Sequence, residues 1–131
     1  MKKYLIILSL IFITFVSANA QIMFIKATHG TTRISNTRGL TWEDWSEWQE
    51  CDIDITIDLE KMLLCIDSKE PQLYRLSEYA NLDNEENIKI ESVDLDGVKC
   101  CVYILKWEDN RNTLEIRYAN LMISYNIIFK K

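Results

Sequence analysis

The sequence is poor in residues that punctuate, ligate and catalyse: its 131 residues hold one proline, three glycines and one histidine. A single proline and the lack of any low-complexity tract exclude a collagen-like repeat, a proline-rich spacer and a flexible linker between domains. Gly30, Gly39 and Gly97 are too scattered to form a phosphate-cradling loop. His29, beside Gly30, gives a serine or cysteine nucleophile no obvious base and gives zinc no ligand set, so it is expected as a solvated turn residue and no metal or cofactor is expected. Positive charge is also short, with 15 Lys and Arg against 20 Asp and Glu and a net charge of −5. No basic cluster interrupts that balance, which disfavours nucleic acid, because affinity there comes from neutralising phosphates with Lys and Arg.

The amino terminus has the pattern of an export signal. Met1-Lys2-Lys3 is basic, Tyr4 to Val16 is almost wholly apolar, and Ser17-Ala18-Asn19-Ala20 ends in the small-x-small pattern read by signal peptidases. The apolar run falls short of the roughly 20 residues a membrane-spanning helix needs, so cleavage after Ala20 is expected in place of a retained anchor. Gln21-Ile22-Met23 follows, with no cysteine to acylate, which predicts a soluble product in the periplasm or outside the cell. Residues 1–20 are thus read as a signal peptide and 21–131 as a single β domain. Loss of Lys2 and Lys3 leaves 13 positive against 20 negative side chains, a net charge of −7. Such a surface favours solubility and is compatible with a basic protein partner.

What the mature chain has in abundance is alternation with period two. Cys51, Ile53, Ile55, Ile57 and Leu59 alternate with Asp52, Asp54, Thr56 and Asp58, placing apolar groups on one strand face and a solvated row of acids on the other. A turn at Glu60-Lys61 returns the chain so that Ile57 faces Leu64 and Ile55 faces Ile66. Gln72 to Tyr79 reads as the next strand, and the polar stretch Asn81 to Asn87 as a loop. Ile88 to Leu95 and Val98 to Trp107 flank Asp96-Gly97, a dipeptide suited to a tight hairpin turn. Pairing Leu95 with Val98 brings Val93 opposite Cys100 and Ile90 opposite Tyr103, which reverses the apolar phase and predicts either that both faces are covered there or that the ribbon kinks near Glu91-Ser92 and Cys101-Val102. Tyr118 with Leu121, Ile116 with Ile123 and Leu114 with Tyr125 form a closing hairpin around Ala119-Asn120. At the start, Ile22 to Thr28 and Thr31 to Asn36 read as a hairpin turning at His29-Gly30. Thr41 to Glu50 carries a capping-box-like Thr41 and Asp44 but runs into a strand, so it is expected as an irregular lead-in.

The sum is an all-β antiparallel meander of eight to ten short strands, most simply a small closed or partly open barrel, with a two-sheet sandwich as the alternative. The Trp-bearing lead-in Trp45-Ser46-Glu47-Trp48, the Ile53 to Ile57 strand, Ser68-Lys69-Glu70-Pro71-Gln72-Leu73-Tyr74, Asp94 and the closing hairpin resemble small exported Gram-negative proteins of unknown function with a calycin-like or lipocalin-like barrel. The resemblance implies a fold type and no functional residues.

An exported chain meets oxidising conditions, and neighbouring strand residues point to opposite faces. That disfavours Cys100 with Cys101 and Cys51 with Cys65, leaving Cys51 with Cys100 and Cys65 with Cys101 as candidate disulfides, with buried free thiols as the alternative. Trp42, Trp45, Trp48 and Trp107 are the candidate ligand or partner surface, unless they plug a core. No catalytic set emerges. The expected function is a non-catalytic exported binding or structural module, and the alternative is an inhibitor of a basic protein such as a wall-degrading hydrolase.

Overall fold

The period-two pattern is realised as eight antiparallel strands in a computed structural model, which describes residues 22–81 and 87–130. The expected leader over residues 1–20 and most of the expected 81–87 loop lie outside the described residues. The strands are β1 (Ile22–Ile34), β2 (Gln49–Asp58), β3 (Leu63–Asp67), β4 (Gln72–Asn81), β5 (Ile88–Asp94), β6 (Lys99–Lys106), β7 (Asn112–Arg117) and β8 (Leu121–Phe129). Each pairs with the next in chain order, and β1 pairs with β8, so the meander closes into a barrel rather than splitting into a sandwich. Closure leaves no edge strand with an unpaired row of backbone groups, which is how such a sheet avoids pairing with other chains.

Side chains from all eight strands fill the interior. Met23, Ile25 and Ala27 of β1 meet Ile55 and Ile57 of β2, Leu64 and Ile66 of β3, and so around to Leu114 and Ile116 of β7 and Tyr125 and Ile127 of β8. The β2–β3 register is the one the alternation requires, with Ile57 opposite Leu64 and Ile55 opposite Ile66. So is that of β7–β8, with Ile116 opposite Ile123 and Leu114 opposite Tyr125.

Two hairpins differ from expectation. Ile22 to Asn36 is not a hairpin: β1 runs straight through His29-Gly30, with a bulge between Ala27 and His29 against both β2 and β8. His29 is therefore a half-buried strand residue whose Nδ1 lies 3.0 Å from Thr28 Oγ1, not a solvated turn. Gly30 suits a strand here because a Cβ would sit 3.3 Å from the Tyr125 ring. In the β5–β6 hairpin the register is one residue shorter than expected, with Val93 opposite Lys99 and Ile90 opposite Val102. The cause is Asp94, whose Oδ1 accepts from the backbone N–H of Asp96 and of Val98, both at 2.9 Å. Its own N–H donates to the Val98 carbonyl. The loop is thus Leu95-Asp96-Gly97, with Gly97 at φ +81°, a left-handed conformation that glycine adopts without strain. With that register Ile88, Ile90 and Ser92 align with Ile104, Val102 and Cys100, and β5–β6 pair without the kink expected there.

Cys51, Cys65, Cys100 and Cys101 are free thiols, which overturns both expected disulfides. Barrel closure is the reason. β2 and β6 are four strands apart whichever way round one counts, so Cys51 and Cys100 lie on opposite walls with the core between them. Cys65 and Cys101 are three strand spacings apart, about 14 Å of sheet, against the roughly 4.4–6.8 Å between Cα atoms that a disulfide spans. Burial pushes the Cys100 thiol up to about 11.

One mouth of the barrel is closed by polar groups. Tyr118 donates to Asp94 Oδ2 at 2.8 Å, Tyr74 to Gln72 Oε1 at 2.6 Å, and the Gln72 amide to the Tyr125 hydroxyl at 3.2 Å. Burial pushes the Tyr74 phenol up to about 12 and raises Tyr118 as well, the latter helped by its bond to Asp94. Phenols in the unfolded chain ionise near about 10. A raised folded value means that the stability from these neutral phenols is fully present below about pH 10 and is lost as pH rises through their folded values. We expect alkaline titration of phenolate absorbance to show Tyr74 and Tyr118 ionising only together with loss of the β-sheet circular dichroism. Truncation of the fully buried Leu114 by Leu114→Ala should cost about 2–5 kcal/mol in urea unfolding.

Candidate functional site

The bulge at Thr28 reverses the inward and outward phase of β1. Before it Met23, Ile25 and Ala27 face the core; after it Gly30 faces inward against Tyr125, so Thr31 and Arg33 face outward. Thr31 then lies beside Ser124 of β8, itself beside Glu115 of β7, and Arg33 lies beside Met122, itself beside Arg117. These residues form the floor of a cleft of about 480 Å³ on the outside of the barrel.

Its walls come from two connections. Residues 35–48 fold back along β1, tied to it by Glu43 N–H donating to the Ile34 carbonyl at 2.9 Å and Ser46 N–H to the Thr32 carbonyl at 2.7 Å. Thr31 Oγ1 bonds back to Ser46, and Arg33 Nε donates to the Glu43 carbonyl at 3.0 Å. This is the irregular lead-in that the sequence predicts, and it brings Trp45 and Trp48 to one side of the cleft. On the other side the β6–β7 turn carries Trp107, whose indole N–H donates to Thr113 Oγ1 at 2.8 Å and so fixes the ring. Trp45, Trp48 and Trp107 remain 37%, 41% and 43% exposed, which shows that they wall an open cleft instead of plugging a core. Trp42 stands behind this wall: the Arg33 guanidinium lies 5.6 Å from its ring centre and 5.2 Å from that of Trp45.

The arginines are the part of the site that sequence reading missed. Arg33, Arg111 and Arg117 all line the cleft, and each stacks on an aromatic ring, Arg111 over Trp107 at 5.5 Å and Arg117 over Tyr103 at 4.0 Å. Spread over β1, the β6–β7 turn and β7, they make no run in the sequence, and only the alternation of Glu115 and Arg117 on one β7 face hints at them. Glu115 is the one carboxylate lining the cleft among the described residues; it is 5% exposed and is held by Arg117 through Nη2 at 2.8 Å and Nε at 3.1 Å, with Ser124 Oγ 3.4 Å from its other oxygen.

Comparison of the chain with protein-family models, with curated proteins and with solved structures finds no match. The barrel expected from the resemblance is observed in the strand order, while the expected kinship with small exported proteins or calycins finds no support in these comparisons.

Because Glu115 is buried and partly neutralises Arg117, Glu115→Ala should lower stability by about 1–3 kcal/mol, the cost of leaving a charged donor without its acceptor. Arg117 is partly exposed, so the loss should lie towards the lower end and shrink further at high salt. Guanidinium unfolding would mask the charge effect, so the measurement is urea unfolding at two salt concentrations.

Proposed function

We propose that this chain is an exported, non-catalytic binding module that holds its ligand in the cleft outside the barrel. The observation that carries the reading is the convergence of Trp45, Trp48 and Trp107 with Arg33, Arg111 and Arg117 on an open cleft of a size that suits a small ligand. Aromatic rings and arginines are the side chains that dominate recognition surfaces, since each offers a large rigid contact area or several directed donors. A binding role, as against chemistry, is supported by the state of the polar groups: Glu115 is tied to Arg117, and among the described residues no second carboxylate lines the cleft to form an acid and base pair with it. Export is supported by the basic, apolar and small-residue order of Met1 to Ala20.

The test is a thermal-shift screen of saccharides, organic acids, amino acids and nucleotides against the mature chain and the double variant Trp48→Ala/Trp107→Ala. At a hundredfold excess over its dissociation constant a cleft ligand should raise the midpoint by roughly 10 °C, and the double variant should lose that rise. A screen with no shift, or a shift that survives in the double variant, refutes the reading.

A second reading, an antagonist of a basic protein such as a wall-degrading hydrolase, is favoured by one observation. The segment from Trp42 to Glu50 exposes Glu43, Asp44, Glu47 and Glu50 beside Trp45 and Trp48, so acids and aromatic rings are presented together. The immobilised chain should retain such a hydrolase at low salt and release it at high salt. No retention at low salt removes this alternative.

A further inference from the structure

The cleft is electrically unlike the rest of the molecule. The chain has five arginines, Arg33, Arg38, Arg75, Arg111 and Arg117, in a protein of net charge −5, and three of them line this one depression. Among the described lining residues the opposing carboxylate is Glu115, already held by Arg117. The lining thus has a formal net charge of +2, with Asp109 just outside it paired to Arg111.

Their hydrogen-bonding capacity is largely unspent. Arg33 commits Nε to the Glu43 carbonyl, and Arg117 commits Nε and Nη2 to Glu115. Arg111 Nε is 3.8 Å from Asp109 Oδ2, an ion pair too long to be a hydrogen bond. A guanidinium has five N–H donors in a planar fork that matches a carboxylate. Stacking on Trp42, Trp45, Trp107 and Tyr103 holds the guanidinium planes in place, which lowers the entropy lost when they grip an anion.

The remaining chemistry narrows the anion. At the back of the cleft Thr31 Oγ1 is spent on Ser46, but Thr113, which accepts from the Trp107 indole, keeps its own O–H, and Glu115 Oε2 has Ser124 Oγ at 3.4 Å. That O–H and that carboxylate oxygen can donate to and accept from hydroxyl groups, which an aromatic acid does not bring. The exposed indole faces of Trp45, Trp48 and Trp107 offer flat apolar platforms against which a ring can lie.

We infer that the cleft binds an acidic saccharide, with a carboxylate among Arg33, Arg111 and Arg117, hydroxyls on the polar floor and a sugar ring face against indole. This rests on the reading of the cleft as the ligand site and names the class of ligand it takes.

The four tryptophans of the chain all wall or adjoin the cleft, so intrinsic fluorescence reports on this site. The mature chain is titrated with a glucuronate-containing disaccharide, its neutral glucose counterpart, and benzoate. The inference expects saturable fluorescence change with the acidic disaccharide, at an affinity about tenfold or more above that of the neutral one and above benzoate. Arg111→Gln, an edge residue of the cleft, should remove most of that preference while circular dichroism shows an unchanged fold. Equal affinity for acidic and neutral disaccharides, tighter binding of benzoate, or no binding of the acidic disaccharide overturns the inference. In the first two outcomes, quenching that is lost in Trp48→Ala/Trp107→Ala leaves the cleft standing as a binding site with another ligand; with no binder of any kind in the wider screen, both readings fall together.

Discussion

One inserted residue, Thr28, decides what the outside of this barrel presents. An eight-stranded barrel with a filled interior needs one face of every strand to be apolar, and β1 satisfies that over Met23, Ile25 and Ala27. Continued without interruption, the same phase would turn Thr31 and Arg33 into the core, where an unpaired guanidinium is prohibitively costly. The bulge between Ala27 and His29 exchanges the two faces within one residue. Gly30 then takes the inward position, where a Cβ would stand only 3.3 Å from the Tyr125 ring, and Arg33 goes out to Trp42 and Trp45.

The wall of the cleft follows from the same strand. β2 accompanies β1 only as far as Gly30, opposite Gln49, so the remaining β1 groups on that side need other partners. The connecting segment supplies them through Glu43 and Ser46, in a spacing too irregular to be a strand. Backbone satisfaction therefore fixes the path of residues 43–48, and the path fixes Trp45 and Trp48 at the cleft. A segment that begins as a remedy for unpaired N–H and C=O groups ends as one wall of the cleft.

Much of the fold is legible in the sequence where the turn and the alternation agree. Asp58 and Leu63 flank a turn that Lys61 N–H fastens to Asp58 Oδ1, and the registers of β2–β3 and β7–β8 follow directly from their isoleucines. The errors come where a side chain competes with the rule. His29-Gly30 has the composition of a turn, yet it runs through β1, where Gly30 suits the close approach of the Tyr125 ring. Asp96-Gly97 has the composition of a two-residue turn, yet the Asp94 carboxylate lengthens the loop by one residue and restores the apolar phase. The cysteine pairings fail for a different reason, since the face a residue occupies can be read along one strand but the strands that lie between two residues cannot. The Trp half of the site is legible because Trp42, Trp45 and Trp48 cluster in sequence. Its Arg half is not, because closure of β1 onto β8 is what brings Arg33 towards Arg117.

Filling the interior also constrains where any ligand of this barrel can sit. Barrels of this strand number hold either side chains or one small ligand inside, and here Ile, Leu, Met and Tyr side chains from all eight strands take that space. The mouth near Asp94 is further closed by Tyr74, Tyr118 and Gln72, whose hydroxyls and amide are committed to one another and to Asp94 and Tyr125. The core and the cleft consequently occupy opposite faces of the same sheet. On β7, Leu114 and Ile116 serve the core while Thr113, Glu115 and Arg117 serve the cleft, residue by alternate residue. Substitutions at exposed cleft positions can change the cleft without touching the packing that keeps the barrel closed, whereas Glu115, buried and bound to Arg117, ties the cleft to the stability of the strand that carries it.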